Sequence, residues 1–198
     1  MKSLVLDVKP VSKQFQPYTH IRGVHVLPTI LTKGQIASVY KRVTINTHHG
    51  DEGHNRITQK ETTTVKAFKA DKPYHFPWMA GLIFASIPKI QLDLGLIVLR
   101  PVCVDANMQI YTLPEGGGIV PAHVDEDFKT KQGSALYSIL IYLNDGYKGG
   151  ETVFNGSMYA PKVPSGAGLL FRHNLLHEGL RVESGEKHVL KTDLVFSF

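Results

Sequence analysis

The second half of the chain leaves room for little but short strands. From residue 96 onward it runs through "LIVLRPV", "MQIYTL", "SALYSILIYL", "ETVF", "GAGLLFRH", "LRVES" and "KHVLKTDLVFSF", with Gly, Pro, Asn or Asp between them. Apolar, β-branched and aromatic runs bounded by turn formers read as strands. No helical pattern separates one run from the next, which argues against a parallel sheet with crossover helices. Strands at this spacing are expected to build a sandwich or jelly roll.

The first part, residues 1–95, has a different texture. In "HVLPTILTKGQIASVYKRVT" a cap at Thr32 precedes Ile36, Val39 and Tyr40 at helical spacing. A second apolar helix is expected in "PWMAGLIFASIPKIQL", ended by Pro88. Between them, "INTHHGDEGHNRITQKETTT" reads as an exposed polar loop. Its His48, His49, Asp51 and His54 are taken as solvated, with a second metal site or a lid over substrate as the sharper alternatives. The class is therefore α+β, mainly β, with N-terminal supporting helices packed on one outer face. No linker-like break appears, so residues 1–198 are expected to form one domain, with 1–95 as helical support and loop and 96–198 as the jelly-roll core.

At 198 residues the chain can bury a sizeable core, and its 42% hydrophobic content is that of a globular protein rather than a disordered one. No apolar run is long enough to span a membrane. The opening "MKSLVLDVKPVSK" is interrupted by Asp7 and lacks a small-residue cleavage site, so it is not read as a signal peptide. A lone cysteine, Cys103, excludes an intrachain disulfide and reads as a small buried hydrophobe. A cytoplasmic protein is expected, with the nucleus also open to so small a chain. The net charge of +5 is scattered rather than blocked, so neither a membrane nor a nucleic-acid partner is indicated.

The chemistry concentrates in "PAHVDEDF", residues 121–128. In an extended segment residues i and i+2 face the same side, so His123 and Asp125 can converge. His177, in "RHNLLHEGL", follows an apolar strand that antiparallel pairing can return beside them. Two imidazoles and a carboxylate form the facial triad of non-haem Fe(II), which leaves coordination positions open. Zinc would accept the same donors with one water. His173 is expected to make a structural hydrogen bond. Gly116, Gly117 and Gly118 read as a tight turn, because no phosphate-binding lysine follows. Tyr74, Phe76 and Trp78 in "PYHFPWM" read as packing rather than a base-stacking platform.

With that pair stand "LIYLND" (140–145), "GGETVF" (149–154), "PSGAGLLF" (164–171), "LHEG" (176–179) and "SGEKHVL" (184–190). In order and spacing these motifs resemble the Fe(II)/2-oxoglutarate-dependent oxygenases, most closely the prolyl 4-hydroxylase-like branch. The resemblance implies a double-stranded β-helix holding Fe(II) through His123, Asp125 and His177, with 2-oxoglutarate as cosubstrate, O2 as oxidant and ascorbate as a candidate reductant. It places the cosubstrate's distal carboxylate on Lys187, ten residues after His177, with Lys191 as competitor on the same strand face. Tyr142 would donate a phenolic hydrogen bond to that carboxylate. Where some relatives carry a second tyrosine this chain has Leu113, and Tyr111 is the nearest substitute. Thr152 and Phe154 would line the approach to iron. The implied reaction hydroxylates a C–H bond and releases succinate and CO2. A prolyl residue in a protein or peptide is the leading substrate, and a free amino acid or other small metabolite the runner-up. Nucleic-acid demethylation is disfavoured, since the paired arginines of repair-type relatives are missing. A zinc hydrolase and a metal-free jelly-roll binding module are the readings from other classes.

Overall fold

The computed structural model describes residues 23–47, 68–69, 74–88, 92–93, 98–117, 119–154 and 161–197. The histidine-rich cluster from His48 to His54 and Gly118 lie outside them. In chain order the elements begin with β1 (Val24–Leu27), α1 (Lys33–Thr47), β2 (Phe68–Lys69), β3 (Tyr74–His75) and α2 (Pro77–Ser86). There follow β4 (Leu92–Asp93), β5 (Val98–Leu99), β6 (Pro101–Val104), β7 (Asn107–Leu113), β8 (Val120–His123), β9 (Phe128–Lys129) and β10 (Ser134–Tyr142). The last are β11 (Lys148–Gly149), β12 (Thr152–Phe154), β13 (Gly168–Arg172), β14 (His177–Gly179), β15 (Val182–Ser184) and β16 (Lys187–Phe196).

A large antiparallel sheet runs β1-β13-β10-β16-β7-β2, and a small one runs β12-β14-β8. The chain passes between them in turn. β7 is in the large sheet, β8 in the small, β10 in the large, β12 in the small, β13 in the large, β14 in the small and β16 in the large. That alternation is the winding of a jelly roll, and it follows from turns too short to hold a crossover helix.

Side-chain alternation divides the large sheet into two apolar faces. Ile139 and Ile141 of β10, Leu170 of β13, and Leu190 and Leu194 of β16 pack in one cluster with Ile36 and Val39 of α1 and Met79 and Ile83 of α2. Their neighbours Tyr142, Leu169, Phe171 and Val189 turn the other way and pack with Phe154 of the small sheet. Each fully buried side chain of this size contributes about 1.5–3 kcal/mol. The helices therefore cover the outer face of the large sheet, as the sequence pattern predicts. Lys187, Val189, Lys191 and Asp193, at every second position of β16, share the opposite face, which lines the barrel.

Local signals act where expected, with some shifts. Thr32 caps α1 reciprocally, Oγ1 accepting the Gln35 N–H at 3.3 Å while Gln35 Oε1 accepts the Thr32 N–H at 2.8 Å. The helix runs on to Thr47, past the loop start expected at Ile45, because no Gly or Pro stops it before Gly50. The resemblance implies a strand leading into the barrel, but the sequence pattern assigns no residues to β1. Its four residues, bounded by Pro28, are too few to show a period, yet they pair antiparallel with β13. Phe76 is fully buried with Tyr74 and Trp78 packed around it, so these aromatics are core. Cys103 is only partly buried, contrary to expectation, since β6 lies near the end of β16. No helix among the described residues is long and apolar enough to cross a membrane.

Gly166 joins β1 to the barrel. Its carbonyl accepts the N–H groups of Ile30 and Leu31, its φ is +83°, and a Cβ there would stand 2.2 Å from the Leu31 carbonyl oxygen. Left-handed backbone strain and overpacking together put the expected cost of Gly166→Ala at about 2–4 kcal/mol. Urea unfolding measures it, and an unchanged midpoint would show that the junction yields freely.

Candidate metal centre

β8 and β14 pair so that His123 and His177 stand directly opposite each other, with ring centroids 4.2 Å apart. Asp125 arrives differently from the sequence argument. It lies two residues beyond the end of β8, so strand alternation does not aim it. Its backbone N–H instead donates to the His173 carbonyl at 2.9 Å. His173 is the structural residue expected of it, buried with Nδ1 3.0 Å from Asp127 Oδ1 and Nε2 3.2 Å from Asp193 Oδ1.

His123 Nε2 lies 3.7 Å from Asp125 Oδ1, and His177 Nε2 lies 3.8 Å from Asp125 Oδ2. One ligand atom from each of the three residues falls within 4.8 Å of the others. Ligands about 2.1 Å from one ion stand roughly 3–4 Å apart, so the group needs only small adjustments to close on a metal. The tautomers suit that role. Nδ1 of His123 faces the Pro121 carbonyl oxygen at 2.8 Å and Nδ1 of His177 faces that of Leu175 at 2.9 Å. A carbonyl only accepts, so Nδ1 carries the proton and Nε2 keeps a lone pair for a cation. The His123 side chain is 39% exposed, whereas that of His177 is 8% exposed, so the centre opens on one side.

The carboxylate is held at both oxygens. Ser138 of β10 donates to Oδ2 at 2.5 Å, and Lys191 of β16 donates to Oδ1 at 2.9 Å. Burial alone would raise the Asp125 carboxyl, but His123, Lys191 and Ser138 outweigh it and hold it well below the usual carboxylate range. The Asp125 carboxylate raises His123 against the effect of burial, while burial lowers His177. Ser138 is fully buried and absent from the sequence reading, although a small polar residue inside the apolar run "SALYSILIYL" was a visible signal. Ser138→Ala is expected to weaken metal binding by about 10- to 100-fold, the usual effect of losing a partner of a ligating carboxylate. Titration with Ni(II) reads this out, and wild-type affinity would deny Ser138 that role.

On the other flank, Lys187 is 3% exposed. Its Nζ donates to the Gly150 carbonyl and lies 4.7 Å from the centre of the Tyr142 ring. Among the described residues no carboxylate comes within ion-pairing distance of it. Burial pushes the ammonium down to about 8, with Glu151 pulling the other way. Tyr142 hydrogen-bonds Thr152 Oγ1 at 2.9 Å, and burial pushes its hydroxyl up to about 12. Phe154 brings its ring within 6.1 Å of His177. The two lysines thus separate, Lys187 facing Tyr142 and Lys191 bound to Asp125. Tyr111 donates to Gln109 Oε1 at 2.7 Å, and Leu113 is the residue opposite Lys187 on β7.

No protein-family model matches the sequence, and no curated protein matches it. Solved structures do. A prolyl hydroxylase from Trichoplax adhaerens, in complex with a hypoxia inducible factor peptide fragment, superimposes with a TM-score of 0.63 at 14% identity, over 87% of this chain and 83% of its own. The viral collagen prolyl hydroxylase of Paramecium Bursaria Chlorella virus-1, as its 2-oxoglutarate complex, gives 0.54 at 14% identity, over 88% and 96%. HygX from Streptomyces hygroscopicus, with nickel, 2-oxoglutarate and hygromycin B bound, gives 0.53 at 12% identity, over 87% and 82%. This chain shares their fold. The shared architecture is the double-stranded β-helix, and at such identities the likeness speaks for the backbone. The side chains must argue for the chemistry.

Proposed function

We propose that the protein is an Fe(II)- and 2-oxoglutarate-dependent oxygenase that hydroxylates a C–H bond. The observation that carries this reading is the convergence of His123, Asp125 and His177 in the same barrel as a buried ammonium that has no carboxylate partner among the described residues. His123, Asp125 and His177 hold the iron and leave coordination positions for cosubstrate and O2. Lys187 receives the distal carboxylate of 2-oxoglutarate, replacing lost hydration with a charge-assisted hydrogen bond. Tyr142, which keeps its proton to about pH 12, stands beside Lys187 as a donor to the same carboxylate. When bound, iron and 2-oxoglutarate supply the oxidation, in which O2 and the 2-oxo acid give succinate, CO2 and one oxygen atom for the substrate. Phe154, Phe171 and the Tyr142 ring exclude water from the closed side of the centre.

Because Lys187 must be charged to hold a carboxylate, 2-oxoglutarate affinity is expected to be flat below about pH 8. Above that it falls by up to tenfold per unit, until the pH passes the higher value to which a bound carboxylate raises the ammonium. Titrations at several pH values check this, and constant affinity from pH 7 to 10 would move the cosubstrate carboxylate elsewhere.

The resemblance to prolyl hydroxylases supports a prolyl residue in a peptide or protein as substrate. A small polar molecule is the second reading, favoured by a cavity of about 530 Å³ beside Asp125 that Asp105, Asn107, Gln109 and Asp193 help to line. Succinate release from purified protein given Fe(II), O2 and 2-oxoglutarate tests the oxygenase reading. Absence of both turnover and binding of metal and 2-oxoglutarate would leave a jelly-roll binding module in its place.

A further inference from the structure

The cavity beside Asp125 has a composition that bears on the substrate. Its walls include Asp125, Lys191 and Tyr111, but neither Lys187 nor Tyr142, so it lies on the flank away from the proposed 2-oxoglutarate site. A volume of about 530 Å³ suits a small molecule. Among the described residues Lys191 is the one lysine or arginine in the lining, and it is already bound to Asp125. With those two charges offset, three carboxylates are left, those of Asp105, Glu126 and Asp193. The described lining is therefore acidic in a chain whose net charge is +5.

Two of these carboxylates are held in place. Asp105 Oδ1 accepts the backbone and side-chain N–H groups of Asn107, and Asp193 Oδ1 faces His173 Nε2. The Asp105 N–H donates to the Asp193 carbonyl at 2.9 Å, which locks the two segments together. Among the described residues no hydrogen bond engages Oδ2 of either. At the rim, Val124 and Phe128 expose apolar side chains. A neutral ring filling this space would strip water from carboxylates and give them no partner, and an anion would be repelled. A cleft lined by one sign of charge instead concentrates the opposite one.

We propose that this cavity is the substrate pocket and that it takes a small molecule bearing an amine or guanidinium group, bound by Asp105, Glu126 and Asp193, with its alkyl portion against Val124 and Phe128 and a C–H bond presented to the metal. The assignment rests on the oxygenase reading and on its second substrate, the small polar molecule, in place of a prolyl residue, since the metal triad on one wall is what makes the cavity a reaction site.

The test uses the full chain loaded with Ni(II) and 2-oxoglutarate, titrated calorimetrically with agmatine and, separately, with N-acetyl-L-prolinamide. Agmatine is expected to bind, more weakly as salt rises, and the neutral prolyl compound to bind at least about tenfold more weakly. Glu126→Gln combined with Asp105→Asn is expected to weaken agmatine about 10- to 100-fold while the Ni(II) and 2-oxoglutarate titrations match wild type. Asparagine at 105 can still accept from Asn107, so the turn is kept. Equal or tighter binding of the prolyl compound, agmatine binding indifferent to the double substitution, or no agmatine binding by protein that has bound Ni(II) and 2-oxoglutarate would each overturn the cationic assignment. Failure to bind Ni(II) and 2-oxoglutarate would instead sink the oxygenase reading beneath it.

Discussion

His123→Ala is expected to lower metal affinity by about a hundredfold or more and to stop succinate release. Losing a residue that only supports a ligand costs about 10- to 100-fold, so loss of the ligand itself belongs at or beyond the upper end. The substitution separates chemistry from folding because the His123 side chain is 39% exposed and lies at the open edge of the small sheet. His177 is the poorer choice, since its ring packs at 4.6 Å from Phe171 and 6.1 Å from Phe154. The thermal midpoint of the metal-free variant is expected to stay close to wild type. Ni(II) titration followed by calorimetry decides the point. A variant that binds Ni(II) as tightly as wild type would remove His123 from the centre.

The second large effect runs in two directions at once. Lys187→Met keeps the length of the side chain and deletes the ammonium. Without its cation the 2-oxoglutarate carboxylate would be buried unpaired, at a cost of about 2–5 kcal/mol, or roughly 30-fold and more in affinity. Stability should move the other way. Below about pH 8 the folded protein carries a buried charge that the unfolded chain keeps in water up to its ordinary value of 10.5. Lowering the ammonium to about 8 corresponds to an order of 3 kcal/mol against folding. The lost hydrogen bond to Gly150 offsets part of the gain, so a net stabilisation of about 1–2 kcal/mol is expected at pH 7.

The pH dependence supplies the check. Between about pH 8 and 10.5 the unfolded chain holds a proton at Lys187 that the folded one has released, so wild-type stability rises with pH through that window. The methionine variant lacks this contribution, and its advantage should close by pH 10. Urea unfolding at pH 7 and pH 10 measures both effects. Lys191→Met is the contrasting variant. Its partner is Asp125, so it should disturb the metal site while sparing the 2-oxoglutarate carboxylate. If Lys191→Met alone raised the cosubstrate requirement, the two lysines would exchange roles.

Much of this site is legible in the sequence. Strand alternation puts Lys187 and Lys191 on one face of β16 whatever lies around them, and the turn formers between runs force neighbouring strands to be antiparallel. Thr32 and Gln35 carry the helix start in a four-residue pattern. Other parts were hidden. Asp125 is aimed by a backbone hydrogen bond to His173, 48 positions away in the chain, which no local pattern encodes. The tautomers of His123 and His177 depend on where two carbonyls point. β1 is an edge strand whose four residues gain their register only from β13.

The jelly-roll class, the outward helices and the shared face of the two lysines follow from residue type and spacing, because periodicity and turn chemistry act within a few positions, whereas the set of three candidate ligands comes with the resemblance in motif order. Which lysine is free to meet a carboxylate follows from neither. Lys187 and Lys191 are chemically identical and four residues apart on one strand. Tertiary packing alone sets one against the Tyr142 ring, with no carboxylate of the described residues in ion-pairing reach, and the other 2.9 Å from Asp125. The strand makes them equivalent, and the differing burial and charge at its two ends give them different partners.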